Sequence, residues 1–317
     1  MKLFKPYKVL LILGNGFDLS LGLKTSYVNF MESYLFQKWV QINYYRNSEI
    51  DLHDRNLFNY LHWQKTIRNW IDVEEELKRY ASKQRVEYHR DDGGLVSFSN
   101  VSDDRIKTSY GLLCSALKTY LKNLDYTVIK EDSSSLELLK TVLSKKRNNV
   151  ITFNYTDVNK LLVKPLGNVE YIHGNINNDI ILGFQRFNNM ATGYNYMIKS
   201  ENPHYKSCHL SKKMCEADEV IIFGHSLGET DHCYFKPFFE VQVSANAFPC
   251  KMTIITLNKD SRYRITQQMV ALSGGQYQKF LDSTDVNVIE MENNEDVFLS
   301  YINVLKKRMR MLGGSLI

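Results

Sequence analysis

The sequence predicts an α/β protein: a doubly wound, mostly parallel sheet that carries a large helical insertion. Three observations predict it. A strand-length apolar run, Val9 to Leu13, breaks into the turn Gly14-Asn15-Gly16 and continues as helix-like sequence. From Asn149 onward, short runs that are apolar on both faces and rich in β-branched residues alternate with helical patterns, as buried parallel strands do. Between these regions, residues 26–146 carry apolar positions at helical spacing.

Taken in order, the first strand is Val9 to Leu13, and the segment Tyr27 to Phe36 reads as helix. A helix is predicted over Trp63 to Ala81, with Glu74 facing Lys78 and Glu75 facing Arg79 as i,i+4 pairs on a solvated face. The polar stretch Lys83 to Arg105, which includes Asp91-Asp92-Gly93-Gly94, has no period and reads as loop. Further strands are predicted at Val150–Phe153, Val169–Ile172, Ile180–Leu182, Glu219–Phe223, Met252–Thr256 and Val286–Ile289, and helices at Ile265–Ser273 and Asn294–Met311. The expected division is a sheet domain of residues 1–25 and 147–317, with residues 26–146 as the helical insertion. No internal repeat is evident.

Composition narrows the function classes. A chain of 317 residues, 44% apolar and 24% charged, has ordinary globular composition and length enough for a large core. A net charge of +5, with no Lys/Arg block or aromatic-basic array, gives no direct sign of nucleic-acid binding. No apolar run approaches the roughly 18 residues of a membrane span, and no secretory cleavage site opens the chain. The five cysteines form no C-x-x-C pair, so reduced thiols and a cytoplasmic location are expected.

Five strand ends release short polar turns: Gly14-Asn15-Gly16, Asn154-Tyr155-Thr156, His173-Gly174-Asn175, Gly224-His225-Ser226-Leu227-Gly228 and Leu257-Asn258. In open parallel sheets, ligands sit at the carboxyl ends of the strands, so five such turns on one edge predict a site. The first turn suits a phosphate, held by backbone N–H groups. It lacks the third glycine of the dinucleotide fingerprint, because Leu19 stands at that position. The fourth turn is a literal G-x-S-x-G, the nucleophile elbow of α/β-hydrolases, but that fold needs an acid and then a histidine later in the chain. The last histidine is His232, on the same segment as Ser226, so the triad cannot be built in that order. His204, Cys208, His209 and Cys215 match no common zinc spacing, and no metal is expected.

The ordered set of motifs resembles known families. Gly14-Asn15-Gly16, Thr152-Phe153-Asn154, His173-Gly174, Gly224 to Leu227 and Asn258 look like the NAD-binding elements of sirtuins and of sirtuin-like bacterial NAD hydrolases. The closer resemblance is to the AbiH family of phage abortive-infection proteins. It lies in Leu13 to Asp18 with Gly22-Leu23-Lys24-Thr25, in Trp70, Asp72 and Glu74, in Phe153 to Thr156, and in Ile172-His173-Gly174.

The resemblance implies a Rossmann-like, sirtuin-like sheet and cleavage of the bond between nicotinamide and ribose, with NAD as substrate and no metal. It implies Asn154 and His173 as the catalytic pair, His173 as general base and Asn154 orienting the ribose or the attacking water. It implies a nucleotide lined by Gly14, Asn15, Gly16, Phe17, Asp18, Thr25, Gly224, Ser226, Leu227 and Asn258. In that reading the amides of the first turn and Ser226 cradle the pyrophosphate, Asn258 bonds the adenosine ribose, and Asp18 either contacts the nicotinamide end or caps a helix. A phage-derived activator and homo-oligomer assembly are further implied, with no membrane partner. Sirtuins place an Asp two residues after the catalytic-loop Asn; here Thr156 stands there and Asp157 comes one later. The zinc module of deacylating sirtuins has no counterpart, so NAD hydrolysis is expected rather than deacylation. The alternative is a non-catalytic nucleotide-binding sensor or interaction protein in phage defence.

Overall fold

The computed structural model describes residues 6–40, 56–67, 71–82, 104–162 and 169–311. The elements open with β1 (Val9–Leu13), α1 (Asn15–Ser20), α2 (Tyr27–Glu32), α3 (Tyr34–Gln37), α4 (Leu57–Ile67), α5 (Val73–Tyr80) and α6 (Asp104–Lys122). They continue with α7 (Ser134–Leu143), β2 (Asn149–Thr152), β3 (Val169–Tyr171), α8 (Leu210–Glu216), β4 (Glu219–Phe223) and α9 (His232–Gln242). The last are β5 (Cys250–Thr256), α10 (Lys259–Leu272), α11 (Tyr277–Ser283), β6 (Thr284–Glu290) and α12 (Glu295–Met311). Among the described residues, no helix is long and apolar enough to cross a membrane.

Among the described residues, six strands form one parallel sheet in the order β3-β2-β1-β4-β5-β6. The chain builds outward from β1 to β3, then returns across β1 to build β4, β5 and β6. The direction of winding therefore reverses between β1 and β4, and a crevice opens at the carboxyl ends of strands at such a point. Every residue of β1 and β4 is buried, as suits central strands that are apolar throughout in β1 and apolar after Glu219 in β4.

The chain divides into two compact units. The first is residues 1–23, 125–172 and 206–317; the second is residues 24–124 and 173–205. The sheet and α7 to α12 belong to the first. Helix α7, expected in the insertion, instead lays Leu136, Leu138, Leu139 and Val142 into one core with Val9, Leu11, Leu13 and the α12 residues Phe298, Ile302 and Leu305. Each such side chain contributes about 1.5–3 kcal/mol on burial, enough to tie this helix to the sheet.

At the amino end of β4 the core encloses a carboxylate. Glu219 accepts from Tyr7 Oη at 2.8 Å, Tyr301 Oη at 2.8 Å, Thr253 Oγ1 at 3.0 Å and Arg308 Nη1 at 3.0 Å. Four donors, one of them cationic, satisfy the charge that burial would otherwise penalise. Burial and the neighbouring carboxylate hold the Tyr7 and Tyr301 phenols well above their ordinary value.

Within the second unit, the helix expected over Trp63 to Ala81 is two helices. Asp72 ends the continuity by capping α5, its Oδ1 accepting from the backbone of Glu74 at 2.9 Å and of Glu75 at 3.2 Å. The acidic run is not a uniformly solvated face either, because Glu74 and Glu76 are buried. Glu74 pairs with Lys199 at 2.7 Å, and Glu76 binds Arg79 at 2.8 Å and Tyr60 Oη at 3.0 Å. The Glu75 to Arg79 pair forms as expected, at 3.6 Å. Residues Ile180 to Leu182 do not form a strand: the chain there folds back, Ile181 N–H bonding the carbonyl of His173 at 2.8 Å. Trp70 and the sequence Asp91-Asp92-Gly93-Gly94 lie outside the described residues.

Candidate functional site

The site is built where β1, β2 and β4 end together. Register pairs Leu13 with both Thr152 and Phe223, so the residues after each strand are neighbours by construction. Gly14 N–H donates to Phe223 O at 2.9 Å, Gly16 N–H to Gly224 O at 2.8 Å, Phe153 N–H to Leu13 O at 2.9 Å and Gly224 N–H to Ile255 O at 2.9 Å. The sheet ladder thus runs on into the turns.

Glycine is required here by contact. A Cβ on Gly14 would lie 2.5 Å from His225 Cα, one on Gly16 2.6 Å from Gly224 Cα, and one on Gly224 2.3 Å from Phe17 N. Gly224 also holds a φ of +66°, where a side chain is strained. This revises the role expected of the first turn. The amides of Gly14 and Gly16 are committed to Phe223 and Gly224 carbonyls, so they hold the first and fourth turns together instead of cradling a phosphate. Phe17 belongs to the core, its ring edge-on to Phe223 at 5.3 Å, and does not line a ligand surface.

The turn after β2 contributes the polar centre. Asn154 is buried; its backbone N–H donates to Thr152 Oγ1 at 3.0 Å and its Nδ2 to Gly14 O at 3.0 Å. Two residues on, Thr156 Oγ1 donates to Asp18 Oδ2 at 2.7 Å. Asp18 sits inside α1, only 1% exposed, and Gly14 occupies the cap position, so Asp18 does not cap that helix. Burial pushes its carboxyl up to about 7, against the opposing pull of the Thr156 hydroxyl and the Asn154 carboxamide. Asp157 caps the short helical turn Val158–Leu161 through Asn159 N–H at 3.0 Å.

The fourth turn presents, beside Ser226, a histidine to which the sequence motifs assign no role. His225 is buried, its ring tilted against Phe153 with centroids 4.2 Å apart and 5.2 Å from Phe235. Its Nδ1 accepts from Leu227 N–H at 3.0 Å, which leaves Nε2 to carry the ring proton, 3.4 Å from Asp231 Oδ2. Leu227 is buried with a φ of +54°, a conformation that this internal bond holds in place. Ser226 is exposed and has no left-handed backbone, whereas a nucleophile elbow strains the serine itself. A histidine flanked in space by Phe153 from the turn after β2 and Phe235 from α9 leaves no local mark in the sequence. The acid six residues on, Asp231, was the one available signal.

Asn258 caps α10, its Oδ1 accepting from Ser261 N–H at 3.1 Å. It also lines a cavity of about 380 Å³ at the ends of β5 and β6, with Lys259, Asp260, Glu290, Glu292, Asn293 and Asn294. Arg262 Nη1 bonds Glu290 at 3.1 Å beside it.

Two expected site residues belong to the second unit. Thr25 precedes the cap of α2, and His173 follows β3 by two residues and is buried. Gly174 beside it has a φ of +71°, and a Cβ there would meet Asp179 O at 2.0 Å. Cys208 and His209 have left-handed backbones, and Cys208 Sγ lies 3.8 Å from Tyr171 O. None of the five cysteines forms a disulfide.

The first unit thus brings together Gly14, Gly16, Phe17, Asp18, Asn154, Gly224 and Leu227, with Asn15 and Ser226 exposed on the turns and Asn258 beyond β4. No curated protein matches the chain. A family model described as "Bacteriophage abortive infection AbiH" matches residues 10–254, a span from β1 to β5 that contains every turn just described except Asn258. The chain therefore belongs to the AbiH family of bacteriophage abortive-infection proteins.

Proposed function

We propose that this AbiH protein acts in phage defence as an NAD-consuming enzyme, releasing nicotinamide from NAD and leaving ADP-ribose. The observation that carries this reading is the polar centre after β1 and β2. There a buried carboxamide, Asn154, and a buried carboxyl, Asp18, stand at the carboxyl ends of β1 and β2, one strand from the winding reversal between β1 and β4, the edge where nucleotides bind in open α/β folds. The sheet supplies a Rossmann-like scaffold, and the resemblance of the turns to sirtuin-like NAD hydrolases supplies the reaction class.

In the reaction, water adds at the ribose carbon as the bond to nicotinamide breaks, and the water's proton must leave. His173 takes that proton as general base, a role worth roughly 10²–10⁴-fold in rate. Asn154 orients the water or a ribose hydroxyl through its amide. With Gly14 and Gly16 amides engaged, Ser226, exposed on the fourth turn, is the hydroxyl this reading assigns to the pyrophosphate. Asn258 and its cavity take the adenosine ribose. A phage-derived trigger and self-assembly are the proposed means of control.

A second reading, a nucleotide sensor without chemistry, draws on the same commitment of the Gly14 and Gly16 amides to the neighbouring turn. Measuring cellular NAD after phage challenge separates the two. The enzyme reading expects NAD to fall in cells making wild-type protein and to hold steady with Asn154→Ala. Protection from phage with unchanged NAD favours the sensor.

A further inference from the structure

The Asn154 carboxamide has one orientation open to it. Its Nδ2 donates to Gly14 O at 3.0 Å, and the flipped amide would set oxygen against oxygen. One Nδ2 hydrogen is thereby used. The other has Asp18 nearby: the carboxamide is close enough to favour the charged carboxylate, yet Asp18 Oδ1 is buried without a hydrogen-bond partner. Its sister oxygen is already held by Thr156 at 2.7 Å. A buried acceptor left open beside a donor with a hydrogen to give is an anchoring point.

We propose that Asp18 is a positioning residue for Asn154: the ionised carboxylate draws in the second Nδ2 hydrogen, fixing Asn154 Oδ1 as the atom turned to the attacking water or ribose hydroxyl. The inference rests on the nicotinamide-releasing reading above and adds its proton control. Protonation of Asp18 removes the open acceptor and releases the amide. Burial places that event near neutrality, at about 7. Among the groups facing Asp18, the Tyr126 and Tyr171 phenols are each pushed up to about 12, chiefly by burial. Asp157 adds negative charge from the turn after β2, and Lys160 lies over the Tyr126 ring at 5.6 Å.

The test is the pH profile of nicotinamide release from NAD by wild-type protein, Asp18→Asn and Thr156→Val, with His173 present in all three. The wild type is expected to gain turnover as pH rises through about 7. Asp18→Asn loses the part of that limb that Asp18 sets and keeps only the rise set by the His173 base, with kcat down at least tenfold and KM for NAD little changed. Thr156→Val, lacking a hydrogen bond that favours the charged form, moves the limb to higher pH. An Asp18→Asn protein with wild-type kcat and limb overturns the proposal. A second arm needs no turnover: with labelled Asp and Asn, the Asp18 carboxyl carbon and the Asn154 side-chain nitrogen are followed by NMR against pH. One shared midpoint supports the anchor even if the wild type releases no nicotinamide, an outcome that sinks the enzyme reading alone. An Asn154 nitrogen indifferent to the Asp18 titration overturns the anchor.

Discussion

Gly16 and Gly224 lie in backbone contact: the amide of Gly16 donates to Gly224 O at 2.8 Å, and a Cβ on Gly224 would sit 2.5 Å from Gly16 Cα. The turns after β1 and β4 are therefore one packed unit, and the glycines serve that contact before any ligand arrives. A methyl group on Gly224 must displace the backbone of α1 and hold a left-handed φ. Gly224→Ala is expected to lose at least about 1–3 kcal/mol in urea unfolding. A loss below about 0.5 kcal/mol would show that the turns have room to separate.

Asp18 gives stability a pH dependence whose sign follows from its raised value. The folded state holds the proton up to about 7 and the unfolded chain only to 3.8, so between these values folding binds protons. Stability is fully present below about 3.8 and is lost as pH rises through about 7. The span corresponds to a loss on the order of 4 kcal/mol. Asp18→Asn removes the decline and is expected to be the more stable protein at pH 8. Unfolding free energies of both proteins at pH 5 and pH 8 check this; equal slopes with pH contradict it.

In the second unit, Lys199 is fully buried against Glu74 at 2.7 Å. Lys199→Met leaves the Glu74 charge enclosed without its cation, at a cost of about 3–5 kcal/mol. Pairing it with Glu74→Leu restores much of the loss, because two apolar groups need no mutual neutralisation. Denaturant midpoints of the single and double variants decide the matter, and additive losses would contradict the pairing.

The outer end of the site makes a separate prediction. Asn258 caps α10 and lines the cavity assigned to the adenosine ribose. Asn258→Asp keeps the cap oxygen and adds a charge to a wall that already holds Asp260, Glu290 and Glu292. It is expected to raise the Kd for NAD severalfold with stability little changed, as calorimetric titration reads; unchanged affinity removes Asn258 from the ligand.

The sheet was legible because its strands announce themselves locally. Glu219–Phe223 is apolar after its first residue, fully buried and bounded as the sequence predicts. Ile180–Leu182 carries the same local signal and forms no strand, since its backbone is taken by a fold-back onto His173. The break before α5 was written in Asp72, a cap residue ahead of an acidic first turn, but the apolar period masked it. Other features have no local signature. Glu74 reads as solvated until Lys199 is brought to it from 125 residues away, and Glu219 needs four donors from three distant places in the chain: Tyr7, Thr253 and, on α12, Tyr301 and Arg308. At the site, Asn154 and Asp18 were both legible as strand-end polar residues. Their junction through Thr156 was not, because it depends on the register of β1 with β2.

The central claim, that Asn154 and His173 serve cleavage of NAD, is tested most directly by incubating purified protein with NAD and measuring free nicotinamide. The measurement is made alone and with extract of phage-infected cells. The account predicts release by the wild type in at least one of these conditions, and a fall on the order of 10²-fold or more in Asn154→Ala and His173→Ala. Wild-type protein that binds NAD and frees no nicotinamide in either condition, or variants that match it, would contradict the account.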